Sequence, residues 1–220
     1  MKNGGGFMKL YYSDRAKEYE KVYFRDDPIR QEEQLKIQDS MKRLFANKQV
    51  LEVACGTGYW TQFIAQVANH ITAIDFSLEV LTLAKEKNIP PNKVLFHQGD
   101  AYQLETVPGS FDAGYANFWF SHIPKAKIQE FLKQLHTRLG TGARVFIADN
   151  MYIETLGGTL IRKENDENTY KIRTLENGSQ FEIIKNYYTE TELREIFAPL
   201  SNDLVIHVGQ CFWWLSYNVK

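Results

Sequence analysis

This 220-residue chain has little of several things, and each shortage excludes something. It has two cysteines, Cys55 and Cys211, too few for a disulfide framework or a cysteine-based zinc pattern. Lys plus Arg number 26 and Asp plus Glu 27, a formal charge of -1, so no bulk electrostatic case exists for nucleic acid. No apolar run is long enough to span a membrane. The opening Met1-Lys2-Asn3-Gly4-Gly5-Gly6-Phe7 lacks the apolar core of a signal peptide, and a cytoplasmic protein is expected. Internal repeats and low-complexity tracts are missing too. What remains is ordinary for a globular protein, 44% apolar and 24% charged residues, and it is enough chain for one self-sufficient core.

Against that background one stretch stands out: Gln49-Val50-Leu51-Glu52-Val53-Ala54-Cys55-Gly56-Thr57-Gly58-Tyr59-Trp60. An apolar strand enters a tight glycine turn, and a helix follows. Gly56 and Gly58 carry no β-carbons, so a ligand can lie against bare backbone at the strand's carboxyl end. Glu52 precedes the turn, where its carboxylate could meet a cation or a hydroxyl. Asp75 ends the next apolar run, about where a βαβ nucleotide site places a ribose-binding acid. A dinucleotide site wants a third glycine and tolerates a pyrophosphate. Here the third position is Thr61 and Glu52 would repel phosphate, so a dehydrogenase is disfavoured. A phosphate-free adenosyl ligand with a positive charge fits better.

LEVACGTGYW resembles motif I of the class I S-adenosylmethionine-dependent methyltransferases, read as E/D-x-x-x-G-x-G. The resemblance implies S-adenosyl-L-methionine as cofactor and S-adenosyl-L-homocysteine as product. It also implies a three-layer α/β sandwich around a mostly parallel seven-stranded, Rossmann-like sheet. The implied cofactor residues are Glu52, Ala54, Gly56, Gly58 and Trp60 of the first turn, and Asp75, Phe76 and Ser77 after the second strand. Asp100 and Ala101 follow the third strand, with a turn cap as the competing role for Asp100, and Asn117 and Phe118 follow the fourth. Tyr11 and Tyr19, with Tyr12, belong to a tyrosine-rich N-terminal segment that resembles the family's lid; packing of an ordinary amphipathic helix is the alternative.

The pattern along the chain agrees with such a fold. Ile29 to Phe45 reads as an amphipathic helix with Ile29, Leu35, Ile37, Met41, Leu44 and Phe45 as apolar positions. Strands are expected at Val50–Val53, up to Asp75, at Val94–His97, Phe111–Ala116 and Ala143–Ala148. The helix after the first turn is expected from Tyr59 to Val67, another is capped by Ser77, and one spans Ile128 to Leu139. Asn177-Gly178 between the β-rich runs Thr169–Leu175 and Gln180–Tyr187 predicts a hairpin inserted after strand five. Thr189–Phe197 predicts a helix, and Leu204–Tyr217 one or two closing strands. One domain over 1–220 follows: a helical lid region at 1–46, the cofactor core at 47–149, the substrate-side hairpin at 150–188, and the closing helix and strands at 189–220.

Asn117-Phe118-Trp119-Phe120 lacks the two prolines common where family members methylate the amines of bases. Ser121-His122-Ile123-Pro124 instead resembles small-molecule methyltransferases, which implies His122 beside the reactive methyl as a general base; backbone bonding is its competing role. A closer resemblance is to the phosphonate O-methyltransferase branch, carried by Gly56 to Thr61, the Ser-His-Ile-Pro turn and Arg173 to Lys185. It implies that Arg173 and Lys185 form a basic pair over an otherwise uncharged pocket and hold an anionic group of the acceptor. The alternative is that both point outward from their strands. The expected activity is methyl transfer to an oxygen or nitrogen of a small molecule, a carboxylate or phosphonate favoured, by a monomer or homodimer without metal, membrane or nucleic acid. An RNA or protein methyltransferase, or a cofactor-binding module without catalysis, are the competing readings.

Overall fold

In the computed structural model, residues 16–154 and 158–220 are described, with side chains from Glu20 onward. Tyr11 and Tyr12 lie outside the described residues. Tyr19 falls in a 3-10 segment, Ala16–Phe24, but its side chain lies outside the description.

Alternation builds the sheet. Along β1 (Gln49–Val53), Val50 packs into one apolar core while Leu51 and Val53 pack into another; along β10 (Phe212–Val219), Phe212 and Trp214 face the first core, Trp213 and Leu215 the second. Period-two alternation between two apolar faces requires cover on both sides. One face is covered by α1 (Pro28–Phe45), α2 (Thr61–Ile64) and α3 (Leu78–Lys85), through Ile37, Met41, Phe45, Ile64 and Leu81. The other is covered by α4 (Ile128–Leu139) and α5 (Glu190–Phe197), through Phe131, Leu132, Leu135, Leu193 and Phe197.

The remaining strands of this sheet are β2 (His70–Asp75), β3 (Val94–Gln98), β4 (Ala113–Asn117), β5 (Arg144–Asn150) and β9 (Ser201–Val208). Their order is β3-β2-β1-β4-β5-β10-β9, with β10 antiparallel to both its neighbours. Parallel strand order reverses between β1 and β4, and the carboxyl ends of those strands open a crevice where α/β sheets take ligands. A second, antiparallel sheet follows β5: β6 (Ile161–Arg162), β7 (Thr169–Thr174) and β8 (Gln180–Ile184). Its turn works as Asn-Gly predicts, Gly178 standing at φ 82° and Leu175 donating to the Ser179 carbonyl at 2.9 Å.

Several boundaries and one helix face differ from expectation. The helix after the glycine turn is only Thr61–Ile64, because Gly58 and Cys55 still close the turn while Val67 bonds back to Ile64 in a tight final turn. β4 begins at Ala113 and runs to Asn117, and β5 extends to Asn150, paired through that residue with Phe212. On α1 the expected apolar positions Ile29 and Leu35 are 44% and 58% exposed, whereas Arg30, Glu33 and Gln34 are buried. The reason is long-range: Glu33 accepts the backbone amides of Gln210, Cys211 and Phe212 at 2.7, 3.0 and 3.0 Å. A buried carboxylate with three amide donors is a satisfied one.

Candidate active site

The glycine turn is shaped by strain and by Asp75. Gly56 and Gly58 stand at φ 55° and 75°, and a β-carbon on Gly58 would meet Ala84 Cβ at 3.2 Å, so α3 packs directly against the turn. Two non-glycine residues, Ala54 (φ 56°) and Phe118 (φ 58°), are left-handed where β1 and β4 end. Strain of this kind concentrates at functional sites, and here it sits on both banks of the crevice. Asp75 Oδ2 accepts from Gly56 N at 2.9 Å, and Oδ1 from Ser77 N at 3.0 Å. Burial pushes its carboxyl up, and the amides of Ser77, Gly56 and Phe76 pull against that. A carboxylate has about four lone-pair sites, so acceptor capacity remains for a diol. Ser77 caps α3, taking Val80 N at 3.4 Å, and Phe76 is 48% exposed at the tip of β2.

Glu52 is placed differently from expectation. It is 2% exposed, beneath the turn, and accepts the Thr61 hydroxyl at 2.7 Å. Burial pushes its carboxyl up to about 8, against the hydrogen bonds of Thr61 and Tyr115 and with the help of the Asp75 charge. The expectation had this carboxylate open to a cation or hydroxyl of a ligand; here it is buried and bonded to the protein's own Thr61. Asp100 Oδ1 accepts Tyr102 N at 2.9 Å, so the competing role of turn cap is realised, and Ala101 packs against the apolar core beside it. Asn117 is buried with no partner for Oδ1 among the described residues, and Trp60 Nε1 is likewise buried without one. Orphaned polar atoms beside the β1–β4 crevice, a carboxyl with spare acceptor capacity at the tip of β2 and a turn free of β-carbons fit an adenosyl amino acid.

A cavity of about 120 Å³ opens next to this crevice. Tyr23 and Phe118 form its apolar wall, Tyr23 stacking on Tyr59 at 3.7 Å and Phe118 on Trp60 at 5.6 Å. The 3-10 segment that carries Tyr23 is pinned to the glycine turn: Glu20 accepts the Thr57 hydroxyl at 2.6 Å and pairs with Lys87 at 2.7 Å. Asp75, Phe76, Asp100 and Ala101 stand apart from the cavity, at the ends of β2 and β3, whereas His122, Arg173 and Lys185 all line it. The outward orientation considered for the basic pair is therefore excluded.

His122 Nδ1 lies 2.7 Å from the Ile184 carbonyl, which can only accept, so Nδ1 carries the proton and a neutral ring holds its lone pair on Nε2. That bond also fastens the Ser-His-Ile-Pro turn to β8, with Asn186 N donating to the Ser121 carbonyl at 2.8 Å and Asn186 Nδ2 to the Ile123 carbonyl at 3.0 Å.

Lys185 does not stand alone. It is 4% exposed and donates to Asp149 Oδ1 at 3.1 Å and to Ser121 Oγ at 2.5 Å. Asp149, fully buried at the end of β5, also accepts Ser121 N at 2.8 Å. Burial alone would raise its carboxyl; Lys185 and His122, then the amides of Ser121 and Asn150, hold it below the usual value instead. Nor is the pocket otherwise uncharged. Lys171, two residues before Arg173 and so on the same face of β7, lines it at 4% exposure, and burial followed by the charges of Arg173, Lys185 and Arg25 pushes its ammonium down to about 8. Arg25 and Arg30 add further cations to the lining, which contains no carboxylate among the described residues. Asp149, Lys171, Arg30, Tyr23 and Tyr187 were missed by sequence reasoning; the strand period that links Lys171 to Arg173 was the one available signal.

Residues 50–142 match a family model described as a methyltransferase domain. Demethylmenaquinone methyltransferase of Staphylococcus aureus (strain JH9) is 33% identical over 98 residues, 43% of this chain, and the chain matches 40% of that relative's length. Among solved structures, the DhpI–SAH complex superposes with a TM-score of 0.76 at 23% identity, covering 99% of each chain. The DhpI-SAM-HEP complex gives 0.76 at 25% identity over 98% of this chain and 99% of that one. Magnesium protoporphyrin IX methyltransferase (ChlM) from Synechocystis PCC 6803 with bound SAH gives 0.67 at 13% identity, covering 98% and 100%. Among the described residues no helix is long and apolar enough to cross a membrane. In strand order, glycine turn and matched domain this chain is similar to the class I S-adenosylmethionine-dependent methyltransferases, and it spans less than half the length of the curated relatives it matches.

Proposed function

We propose that this protein moves a methyl group from S-adenosyl-L-methionine to an oxygen or nitrogen of a small anionic molecule, a carboxylate or a phosphonate. The observation that carries this reading is the lining of the cavity beside the cofactor crevice: Lys171, Arg173, Lys185, Arg30 and Arg25, with no carboxylate among them. Cations gathered there in low dielectric cost free energy unless an anion joins them. Bound S-adenosylmethionine supplies an activated methyl on a sulfonium. The chain's own residues supply placement: Asp75 for the ribose edge, Asp100 and Ala101 for the base, Asn117 and the bare glycine turn for the amino acid end. Glu52 supports that turn from below through Thr61.

Arg173 presents a fork to an oxyanion, and Lys171 and Lys185 add point charges. Tyr23, Phe118 and Tyr187 give the cavity aromatic walls that displace water from around the acceptor. For a neutral hydroxyl or amine acceptor, His122 Nε2 takes the departing proton as the new bond to carbon forms. For an acceptor already ionised at neutral pH the same ring orients the nucleophile. A cavity of about 120 Å³ suits a small molecule rather than RNA or protein. The reading treats 1–220 as one domain, monomeric or homodimeric, acting in the cytoplasm.

The test is a coupled assay for S-adenosylhomocysteine release over a panel of small carboxylates and phosphonates. Turnover is expected with one of these, and Arg173→Ala should raise the acceptor's KM at unchanged cofactor affinity. Turnover confined to uncharged acceptors, or cofactor binding lost in Arg173→Ala with acceptor kinetics intact, would contradict it.

A further inference from the structure

The hairpin cations form only one wall of the cavity. The other comes from a different element, the first turn of α1, which contributes Arg30. Arg30 is 8% exposed, so its guanidinium has left bulk water, yet its bonding is sparse. Nη2 donates to the Asn150 side-chain oxygen at a long 3.3 Å, and Nε has no partner among the described residues. The Phe212 ring lies 4.4 Å from its central carbon and holds the fork flat. Asp27, the nearby helix cap, directs Oδ1 to the Arg30 backbone amide at 3.1 Å rather than to the guanidinium. Asn150 and the Cys211 thiol take up part of the fork, and the buried Nε–H left over gives this planar guanidinium a free edge for an oxyanion.

The charges point the same way. Asp149 neutralises Lys185, and nothing among the lining residues neutralises Lys171, Arg173 or Arg30. One anionic group seated at the hairpin answers Lys171 and Arg173. It leaves Arg30, on α1, as a buried cation that burial and the charge of Arg25 work against, eased only by the Cys211 thiol and Asp27.

We propose that Arg30 anchors a second anion subsite, so that the acceptor carries two anionic groups, one held by the hairpin cations and the other by Arg30. The small cavity, about 120 Å³, favours a short link between the groups, such as one or two carbons. This rests on the anionic-acceptor reading above and adds to it: a single charged group does not satisfy the site.

The experiment measures binding of three probes to S-adenosylhomocysteine-saturated protein by calorimetry: methylphosphonate with one anionic group, and phosphonoacetate and 3-phosphonopropionate with two. At least one two-group probe is expected to bind tenfold or more tightly than methylphosphonate. Arg30→Met, which keeps the packing over Phe212, should remove that advantage, weakening the two-group probes tenfold or more beyond any loss with methylphosphonate, and leave the affinity for S-adenosylhomocysteine within twofold of wild type. Arg30→Lys keeps a charge but loses the fork, so it should retain part of the advantage; it also serves if the methionine variant folds poorly. Equal binding of one-group and two-group probes would overturn the second subsite and leave the anionic reading standing. So would equal weakening of all three probes by Arg30→Met. Failure of every probe to bind would remove the anionic reading, and this inference with it.

Discussion

Replacing Glu52 by glutamine should make the cofactor-free protein more stable in alkali, by an amount the structure sets. Glu52 is 2% exposed, and burial moves its carboxyl from 4.5 to about 8. A carboxyl whose native value is raised binds its proton more tightly in the folded chain than in the unfolded one. Its stabilising effect is complete below about 4.5 and is lost progressively as pH rises through about 8. At about 1.4 kcal/mol per unit, the interval amounts to about 3–5 kcal/mol. Glutamine copies the protonated acid in shape, its oxygen accepts the Thr61 hydroxyl as Glu52 does, and it does not titrate. Glu52→Gln should therefore lie within about 1 kcal/mol of wild type at pH 5 and exceed it by about 3–5 kcal/mol at pH 9, a rise in Tm on the order of 10 °C. Urea unfolding followed by tryptophan fluorescence at pH 5, 7 and 9 reads this directly. A gap that stays constant across those pH values would mean that Glu52 is ionised throughout, and the account of the turn's support would be wrong.

Asp75→Ala should weaken S-adenosylhomocysteine binding by about 1.5–3 kcal/mol, the worth of hydrogen bonds to a charged group, as measured by calorimetry; unchanged affinity would remove Asp75 from the site. Asp149→Asn leaves Lys185 buried without its counter-charge and should cost about 3–5 kcal/mol near neutral pH. Because the native carboxyl is held below its ordinary 3.8, that contribution is full above 3.8 and disappears as pH falls through the depressed value, which acid-titrated melts of both proteins would show. Gly58→Ala, at φ 75° and with Ala84 Cβ 3.2 Å from the new methyl, should lose about 1–2 kcal/mol of stability in denaturant melts. His122→Gln should cut kcat by roughly 10²-fold or more for a neutral nucleophile and by less than about tenfold for one ionised beforehand; equal losses on both would make His122 a packing residue only.

Local chemistry made the central part of this protein legible. The apolar strand runs, the Asn177-Gly178 turn, the Ser77 cap and the glycine turn each act over a few residues, and these form, within shifts of a few residues at element ends. Asp75 was readable because a strand end fixes where its side chain stands. Glu52 was only half readable: its position in the motif was plain, but its depth beneath the turn depends on Tyr115 and Thr61, which come from other elements.

The amino-acid order alone determined the succession of strands and helices, the glycine turn and the family the chain resembles, since these rest on short-range spacing and on rules of parallel-sheet winding. Tertiary structure decided the character of the acceptor pocket. Arg30 meets Asn150 across 120 residues, Glu33 meets the backbone near Cys211 across 178, and Lys185 finds Asp149 across 36. No periodicity encodes such meetings, because a charged residue on a helix face reads as solvated until another part of the chain folds over it.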